Sequence, residues 1–435
     1  MNYELRIMNC KSNILKILSL LVIFLIILQG VSFSATYYLD AVNGNDNNPG
    51  TSALPWKTLN RAYTWYSGPG LKVQEGDTVL FRNGDYGVFS ENSLVFGIPF
   101  YRNNWITYRA DTGHTPTLTN IDITNIDQWG GAGNGFSCLI FDGFEIPEAV
   151  AIRYTSYVQV RNCNIRAEQS FVRDDQGNII QGPYAPYVLG GAVIGTRAAH
   201  YITIENNDIS YAAMGIDIPL VTEDSNITIK NNTIHRLGQI VLNLYVKHAL
   251  IEGNSLSDVL THRMHVNVKG TKTGDFIEGE ILTQAGTDET GIVHSGGLRN
   301  GYQLAYLVTS DNRFAEGGGT IIGSESGATI TNITKIDGIH TDCIQIDGGG
   351  QTDITITGNI IIHNGGVIKL WVRPGGSAIS GISFENNLIR GSKPFYGQAD
   401  VESISVSNIN NNTFWCLTPF DNEGITHQGL IITNM

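Results

Sequence analysis

The second half of the chain repeats one pattern, in which apolar and polar residues alternate up to an asparagine pair. It reads ITIENNDI over 202–209, ITIKNNTI over 227–234 and ISFENNLI over 382–389. Such alternation places successive side chains on opposite faces of a β-strand. The second asparagine of each turn is Asn207, Asn232, Asn254, Asn359, Asn387 or Asn412, and the uninterrupted steps are 22 to 28 residues long. Periods of this length predict a solenoid of stacked coils.

A second strand follows each asparagine turn, and it consists of a polar residue between two aliphatic ones. The polar centres are Asp217, Asn243, Asn267, Gln345 and Lys369. Alternation directs the aliphatic neighbours inward and the polar centres outward. Two strands per repeat, an asparagine turn and room for a third strand describe one coil of a parallel β-helix. Asparagine suits the turn because it tolerates a left-handed backbone and can form amide ladders between coils.

One interval is too long for a single coil. Asn267 and Gln345 are 78 residues apart, where a coil takes about 24 residues, so roughly 54 residues are inserted after the strand centred on Asn267. The inserted segment contains its own echo, FIEGEILT and FAEGGGTIIG. We therefore predict a small β module over residues 271–331, between β-helix segments at 111–270 and 332–435.

Residues 1–34 have the features of a signal peptide. Basic residues precede an apolar run from Ile17 to Leu28, and Ser32 and Ser34 offer a cleavage point before Ala35. The alternative is a membrane anchor, for which the run is short. We expect a secreted protein, extracellular, periplasmic or at the cell surface, with no membrane segment after cleavage.

Composition narrows the class of partner. A formal charge of -13 argues against nucleic acid, which requires a basic face. Fifty glycines with only 15% charged residues favour a turn-rich β protein. After cleavage four scattered cysteines remain, without disulfide or zinc-ligand spacing, and they are expected to be buried thiols: Cys138, Cys163, Cys343 and Cys416.

The start of the mature chain carries recognisable motifs: YYLD at 37–40, GND at 44–46, PWKT at 55–58 and GDTV at 76–79. With the downstream coils, they resemble the pectate-lyase-like superfamily of β-helix proteins over most of the chain. The resemblance implies an all-β, right-handed parallel β-helix whose open end is covered by a cap over residues 35–110, with a capping helix from about Thr58 to Tyr66. The resemblance is specific for the fold and much less so for the chemistry, because such folds include lyases, hydrolases, epimerases and non-catalytic adhesins.

Candidate chemistry lies on the outward face of the second strand. Amides, carboxylates and ammonium groups near flat aromatic rings suit sugar binding. We therefore expect a polysaccharide ligand, although any single position is also compatible with an ordinary solvated face. The predicted substrate-binding residues are Tyr245, Asn243, Asn267, Lys269, His340, Gln345, Asp347 and Trp371.

The resemblance implies lyase chemistry, in which Lys or Arg removes a proton from a uronate and Ca²⁺ on acidic residues neutralises the carboxylate. The candidate catalytic residues are Lys369, Arg373, His265 and Asp342, and Asp342 with Asp347 could contribute to a Ca²⁺ site. No tight aspartate cluster resembles a pectate-lyase calcium site, so neither calcium nor pectate follows. Hydrolysis would require paired carboxylates, and Asp342 with Asp347 is the obvious pair.

The sequence therefore predicts a secreted polysaccharide lyase or related glycan-degrading enzyme. Two alternatives stay open. His340 and Asp342 could instead cap a turn by bonding backbone groups. The whole face could belong to a non-catalytic glycan-binding protein of adhesin type.

Overall fold

The computed structural model describes residues 34–65, 70, 72–93, 100–125, 135–166, 172–173, 179–181, 192–212, 214–218, 224–237, 240–257, 265–287, 289–295, 301–308, 314–338, 342–347, 350–362, 366–372, 377–391, 393–399 and 404–416. All of the predicted signal peptide except Ser34 lies outside these residues. No helix in the described ranges is long and apolar enough to cross a membrane.

The described chain consists almost entirely of short strands. In chain order they are β1 (Thr36–Leu39), β2 (Thr78–Phe81), β3 (Val88–Asn92), β4 (Ile106–Ala110), β5 (Asn120–Thr124), β6 (Gly135–Asp142), β7 (Glu145–Ile146), β8 (Val150–Arg153), β9 (Thr155–Arg161), β10 (Asn164–Arg166), β11 (Val172–Arg173), β12 (Ile179–Gln181), β13 (Ala192–Arg197), β14 (His200–Glu205), β15 (Asp208–Ser210), β16 (Met214–Ile218), β17 (Asp224–Lys230), β18 (Thr233–His235), β19 (Ile240–Leu244), β20 (Val246–Glu252), β21 (Ser255–Leu256), β22 (His265–Thr273), β23 (Ile281–Gln284), β24 (Thr290–Ser295), β25 (Leu304–Val308), β26 (Ile321–Gly323), β27 (Thr329–Gly338), β28 (Asp342–Asp347), β29 (Thr352–Thr357), β30 (Ile360–Ile362), β31 (Gly366–Val372), β32 (Ile379–Glu385), β33 (Leu388–Gly391), β34 (Lys393–Ala399), β35 (Ile404–Asn410) and β36 (Thr413–Cys416).

Three parallel sheets wrap around one core. Sheet A has the order β1-β2-β4-β6-β9-β14-β17-β20-β29-β32-β35, sheet B β7-β10-β15-β18-β21-β30-β33-β36 and sheet C β3-β5-β8-β13-β16-β19-β28-β31-β34. Each complete coil contributes one strand to A, then B, then C, and each strand pairs in parallel with its equivalent in the next coil. The fold is the predicted right-handed parallel β-helix.

Aliphatic side chains stack inside the coils. Ile202 of sheet A pairs with Ile227, and Ile216 of sheet C pairs with Leu242. All four are within 1% of complete burial. Fully burying one such side chain contributes about 1.5–3 kcal/mol, so the repeated stacks supply a large part of the driving force for coil formation.

A ladder of buried asparagine amides joins the coils at the turn between sheets A and B. The Nδ2 of Asn232 donates to Oδ1 of Asn254 at 3.0 Å and to the Ile204 carbonyl at 2.9 Å. Its Oδ1 accepts from the backbone N–H of Asn207 at 3.0 Å. Side-chain amide bonds of this kind run from Asn207 through Asn232, Asn254, Asn359 and Asn387 to Asn412. The prediction that these six asparagines occupy equivalent turns is confirmed.

The first residue of each pair has a different task. Asn206 and Asn231 have φ values of 55° and 53°, and Gly253 takes the same place with φ 66°. Asparagine and glycine are the residues that tolerate this left-handed conformation. In an asparagine pair, one residue therefore turns the chain and the next bonds the coils together.

The inserted module is a closed antiparallel barrel of six strands, in the order β22-β25-β24-β23-β26-β27. Val266, Val268 and Ile330 belong to its own core. The predicted boundaries of 271 and 331 are wrong, because β22 and β27 extend the barrel to His265 and Gly338. Asn267 therefore lies in the barrel and not in a coil. Its flanking valines have the same period of two in an antiparallel barrel as in a parallel coil, so the sequence pattern could not separate the two.

The predicted capping helix from Thr58 to Tyr66 is wrong in type and length. A single 3₁₀ turn covers Leu59–Ala62 and ends there because Tyr63 is extended, with φ -86° and ψ 141°. The Thr58 hydroxyl donates to Asp46 Oδ2 at 2.6 Å and does not cap the helix. Trp56 is completely buried and, with Leu59, joins the main core, so the segment still extends that core at the amino-terminal end.

The cysteine prediction holds for the described side chains. Cys138, Cys163 and Cys343 are free and buried. Burial raises the pKa of the Cys163 thiol to about 12, so these thiols stay protonated and unreactive. The Cys416 side chain lies outside the described part of the chain.

Replacing a ladder asparagine should destabilise the fold strongly. In Asn232→Ala, the buried amide N–H of Asn207 and the carbonyl of Ile204 lose their partners, and each such loss costs about 1–3 kcal/mol. We expect a clearly lower urea midpoint. The matched control is Asn231→Gly, which keeps the left-handed turn and should change the midpoint little. Equal effects of the two substitutions would show that the ladder does not hold the coils.

Candidate functional site

The candidate site is a column of polar residues on the outward face of sheet C. Asp217 pairs in register with Asn243, Asn243 with Gln345, and Gln345 with Lys369. Neighbouring coils lie about 4.8 Å apart. The predicted column is therefore right for four of its five members. Gln345 directly follows Asn243 because the barrel takes Asn267 out of the column.

Asp217 is the most perturbed group of this column. Its neighbours Ile216 and Ile218 are completely buried in the core, yet the outward Asp217 is only 5% exposed. Desolvation raises the pKa of Asp217 to about 6, although a hydrogen bond from Asn243 opposes this shift. The Nδ2 of Asn243 donates to Asp217 Oδ1 at 2.7 Å. A carboxyl with such a pKa can take up and release a proton near neutral pH.

Two insertions border this face. Both leave a strand of sheet B and return to sheet C: the hairpin β11–β12 follows β10, and the barrel follows β21. Their starting points are three coils apart, and Cα atoms of β12 come within 8 Å of Cα atoms of β24 in the barrel. The insertions therefore meet beside the coils that carry Asp217 and Asn243.

A basic group lies on the same face, in the coils before Asp217. Arg153 and Arg197 pair in register on β8 and β13. Arg153 Nη2 contacts Asp122 Oδ1 at 2.7 Å, with both side chains just over a quarter exposed. The Arg197 guanidinium lies over the Tyr154 ring, 5.6 Å from its centroid. Asp122 compensates the charge of Arg153, so Arg197 supplies the net positive charge of this group on an acidic protein, which suits a carboxylate ligand.

Sequence reasoning missed these residues because their coils lack the asparagine pair. One signal was available: Ile121, Asp122 and Ile123 form the same aliphatic–polar–aliphatic triplet that marked Asp217. In the structure Asp122 does occupy the same column, since it pairs with Ala151 and, through Gly195, leads to Asp217.

The structure brings together some of the predicted site residues on the last coils of sheet C. Asp347 pairs with Trp371, two residues beyond the Gln345–Lys369 pair; the side chains of Lys369, Asp347 and Trp371 lie outside the description. Arg373 and His340 lie outside the described residues altogether.

Other predicted site residues are elsewhere. Tyr245 follows β19 at the corner towards sheet A, is half-buried, and its backbone N–H donates to the Ile218 carbonyl. His265 and Lys269 are on β22 of the barrel, so their assignment to the sheet C face is wrong. The Lys269 ammonium lies 4.4 Å from the centroid of the Tyr302 ring.

Asp342 and Asp347 do not form a pair. They are the first and last residues of β28, which places their Cα atoms about 17 Å apart on an extended strand. This distance is too long for one Ca²⁺ ion, whose oxygen ligands lie at about 2.3–2.6 Å, and too long for paired-carboxylate hydrolysis. Both assignments are wrong. Asp342 is completely buried, and no group of three potential His, Cys, Asp or Glu ligands occurs among the described side chains.

Comparison with known proteins finds likeness at the level of fold. No family model matches the sequence. No curated protein matches it. Among solved structures, the chain is similar to pectate lyase Pel9A, at 12% identity and TM-score 0.41 over 88% of this chain and 79% of that one. It is also similar to a GH136 lacto-N-biosidase from Eubacterium ramulus, at 12% identity and TM-score 0.41 over 89% and 67%. A third is PfbA, a surface adhesin of Streptococcus pneumoniae, at 14% identity and TM-score 0.33 over 80% and 79%.

The raised pKa of Asp217 gives a stability prediction with a definite sign. The folded state holds the Asp217 proton more tightly than the unfolded chain does. The contribution of the protonated carboxyl to the free energy of unfolding is therefore complete below pH 4 and is lost as the pH rises through about 6. Asp217→Asn keeps an acceptor for Asn243 but cannot ionise, so it avoids this loss of roughly 3 kcal/mol. The variant should melt several degrees above wild type at pH 7.5 and close to it at pH 4.

The control is Asp122→Asn on the same column. It removes the carboxylate that pairs with Arg153 and should not raise the melting temperature at pH 7.5. Thermal unfolding of the three proteins across pH 4 to 7.5 checks this. A constant difference between Asp217→Asn and wild type at every pH would contradict the burial argument.

Proposed function

We propose that this protein is a secreted glycan-active enzyme that works on the outward face of sheet C. The observation that carries the proposal is Asp217, an outward carboxyl that is almost completely buried and hydrogen-bonded to Asn243, with its pKa raised by burial to about 6. A surface that only binds sugar gains nothing from a carboxyl held in this state, whereas proton transfer to or from a sugar requires one.

The neighbouring groups suit an acidic polysaccharide. Asp122 neutralises Arg153, so the guanidinium of Arg197, which lies over the Tyr154 ring, provides the local positive charge that a uronate carboxylate needs. This local charge opposes the overall charge of -13, which alone would repel a polyanion.

We favour β-elimination because a guanidinium group on this face can neutralise a uronate carboxylate. Hydrolysis requires two carboxyl groups within about 9.5 Å, and Asp122 is three coils from Asp217, about 14 Å between Cα atoms. Asp347 is two coils and two residues from Asp217, about 12 Å between Cα atoms, so hydrolysis with this pair is the alternative chemistry. In elimination, a base removes the C5 proton, the C4–O bond breaks as the C4–C5 double bond forms, and the leaving oxygen takes up a proton.

In this scheme each residue has one role. Asp217 in its carboxylate form takes the C5 proton and then passes it to the leaving oxygen, which returns Asp217 to the carboxylate, and Arg197, with Arg153 beside it, holds the uronate carboxylate. Lys369 remains a candidate base in the same column; it lies three coils from Asp217, about 14 Å away, so the two would contact different sugar units. The alternative function is a non-catalytic, adhesin-type protein that binds glycans on the same face.

The test is a screen of purified protein against acidic and neutral polysaccharides, with unsaturated uronate and new reducing ends measured separately. We expect unsaturated uronate. Asp217→Asn should lower kcat by two or more orders of magnitude, the range that proton transfer contributes. Lys369→Ala should also lower it strongly if that lysine is the base, while its fold is unchanged.

The control variant is Lys230→Ala, on sheet A, where Lys230 pairs with Glu252 at 3.1 Å; its activity should equal wild type. Full activity of Asp217→Asn would remove Asp217 from the mechanism. Binding to a polysaccharide with no product from wild type would establish the adhesin-type alternative.

Export is the remaining part of the proposal. Ala35, the expected first residue of the mature chain, donates its backbone N–H to Asp77 Oδ1 at 2.7 Å. Cleavage would turn this N–H into an ammonium group beside a carboxylate, which preserves the contact. The mass of the protein recovered from the medium should correspond to a chain that begins at Ala35. Full-length protein retained in membranes would support the anchor instead.

A further inference from the structure

A partly exposed row of aromatic rings runs along one border of sheet A; we call it the aromatic ridge. It consists of Trp105, Phe136, Tyr157 and Tyr201, which lie on four successive coils. Tyr157 and Tyr201 stack with centroids 4.9 Å apart and planes at 5°. Phe136 and Trp105 contact Tyr157 at 5.5 and 6.3 Å. Tyr201 is 50% and Phe136 39% exposed. The ridge is about 14 Å long.

The backbone of the two tyrosines is unfavourable for their residue type. Tyr157 and Tyr201 have φ values of 63° and 56°. In the following coils the same position is occupied by Asn226, His248, Asp353 and Gly381, all with positive φ. Glycine, asparagine, aspartate and histidine are the residues found most often in this conformation, and a bulky side chain there is an outlier. The same backbone occurs at other corners of the solenoid, such as Tyr154 and Tyr211, so what distinguishes the ridge is that this backbone carries two rings stacked on each other.

The surroundings of the ridge indicate the ligand. The next outward column contains Gln159 and Thr203, which pair in register. The column after that alternates in charge over the four coils, from Arg109 through Asp142 and Arg161 to Glu205, so its charges cancel. The stacked rings present their edges and the outer face of Tyr201. These apolar groups beside amide and hydroxyl groups, without net charge, match the apolar face and the hydroxyls of a pyranose chain.

Another protein would fit this surface poorly. A stable interface buries about 800 Å² on each partner. A ridge one side chain wide and about 14 Å long is much smaller than that. A single extended glycan chain needs only a narrow strip.

We propose that the aromatic ridge is a second glycan-binding surface, distinct from the sheet C face, on which pyranose rings of a polysaccharide stack. The proposal takes its ligand class from the proposed function and does not depend on the chemistry at Asp217. The ridge lies just past the corner where Arg153 and Tyr154 leave sheet C. Both surfaces run along the solenoid axis, so the ridge holds a stretch of polymer close to the sheet C face.

The test uses the unfavourable backbone conformation of Tyr157 and Tyr201. Tyr157→Asn/Tyr201→Asn inserts the residue that the next coil uses at Asn226, so the double variant should melt at or above the wild-type temperature. Its retardation in native gels that contain polygalacturonate, alginate, xylan or mixed-linkage glucan should weaken about tenfold, the scale of a lost aromatic contact. The conservative variant Tyr201→Phe keeps the ring and should keep most of the retardation.

A reciprocal variant on the ridge and the Asp217→Asn variant on the sheet C face complete the experiment. Asn226→Tyr extends the ridge by one coil and should lower the melting temperature while retardation is kept or increased. All proteins are also measured in an Asp217→Asn background, which separates ridge binding from turnover. The ridge variants should weaken retardation there too, whether or not any product is formed by the parent.

Three results would overturn the ridge as a glycan surface. One is retardation by none of the four gels. Another is unchanged retardation of the tyrosine double variant. This result includes the case in which only substitutions on the sheet C face abolish retardation. The third is a dimer in size-exclusion chromatography that the double variant converts to a monomer, since the occupant would then be a second copy of this chain.

Discussion

The polar column of sheet C depends on the register between coils, and from Asn207 onward buried asparagine amides hold that register. Each amide satisfies three buried partners in neighbouring coils, as Asn232 does with Asn207, Ile204 and Asn254. An unsatisfied buried amide is costly, so a coil cannot slip by one residue without breaking the ladder. The ladder also continues across the barrel, because Asn254 bonds to Asn359 at 3.0 Å. An insertion of this size can therefore be carried without disturbing the columns on either side.

Fixed register turns a repeated sequence into distinct surfaces. Inward columns are aliphatic and supply stability, whereas outward columns are free to vary from coil to coil. Stability is given up at outward places that include the buried carboxyl of Asp217 and the left-handed backbone of Tyr157 and Tyr201. The coil after Tyr201 carries Asn226 at this position, a residue that tolerates the conformation. These costs, more than polarity alone, are the reason that we propose functions for the sheet C face and the aromatic ridge.

The sequence predicted what local periodicity encodes and failed where tertiary context decides. Alternation and asparagine spacing located the ladder and the Asp217–Asn243–Gln345 column. They misplaced Asn267, because a strand flanked by valines looks the same in a barrel and in a coil. Arg153 and Arg197 were missed since their coils lack the asparagine pair. The burial of Asp217, which determines its chemistry, is a property of the folded protein and could not be read from the residue pattern of its own strand.

The central claim is that sugar binds over Asp217 on sheet C, and the most direct measurement is a crystal structure of Asp217→Asn soaked with an oligosaccharide from the polysaccharide that the wild type cleaves. The account predicts a sugar unit within hydrogen-bonding distance of the side chain at position 217 and of Asn243, with a carboxylate facing Arg153 or Arg197. An oligosaccharide bound elsewhere, with the sheet C face free of sugar, would contradict it.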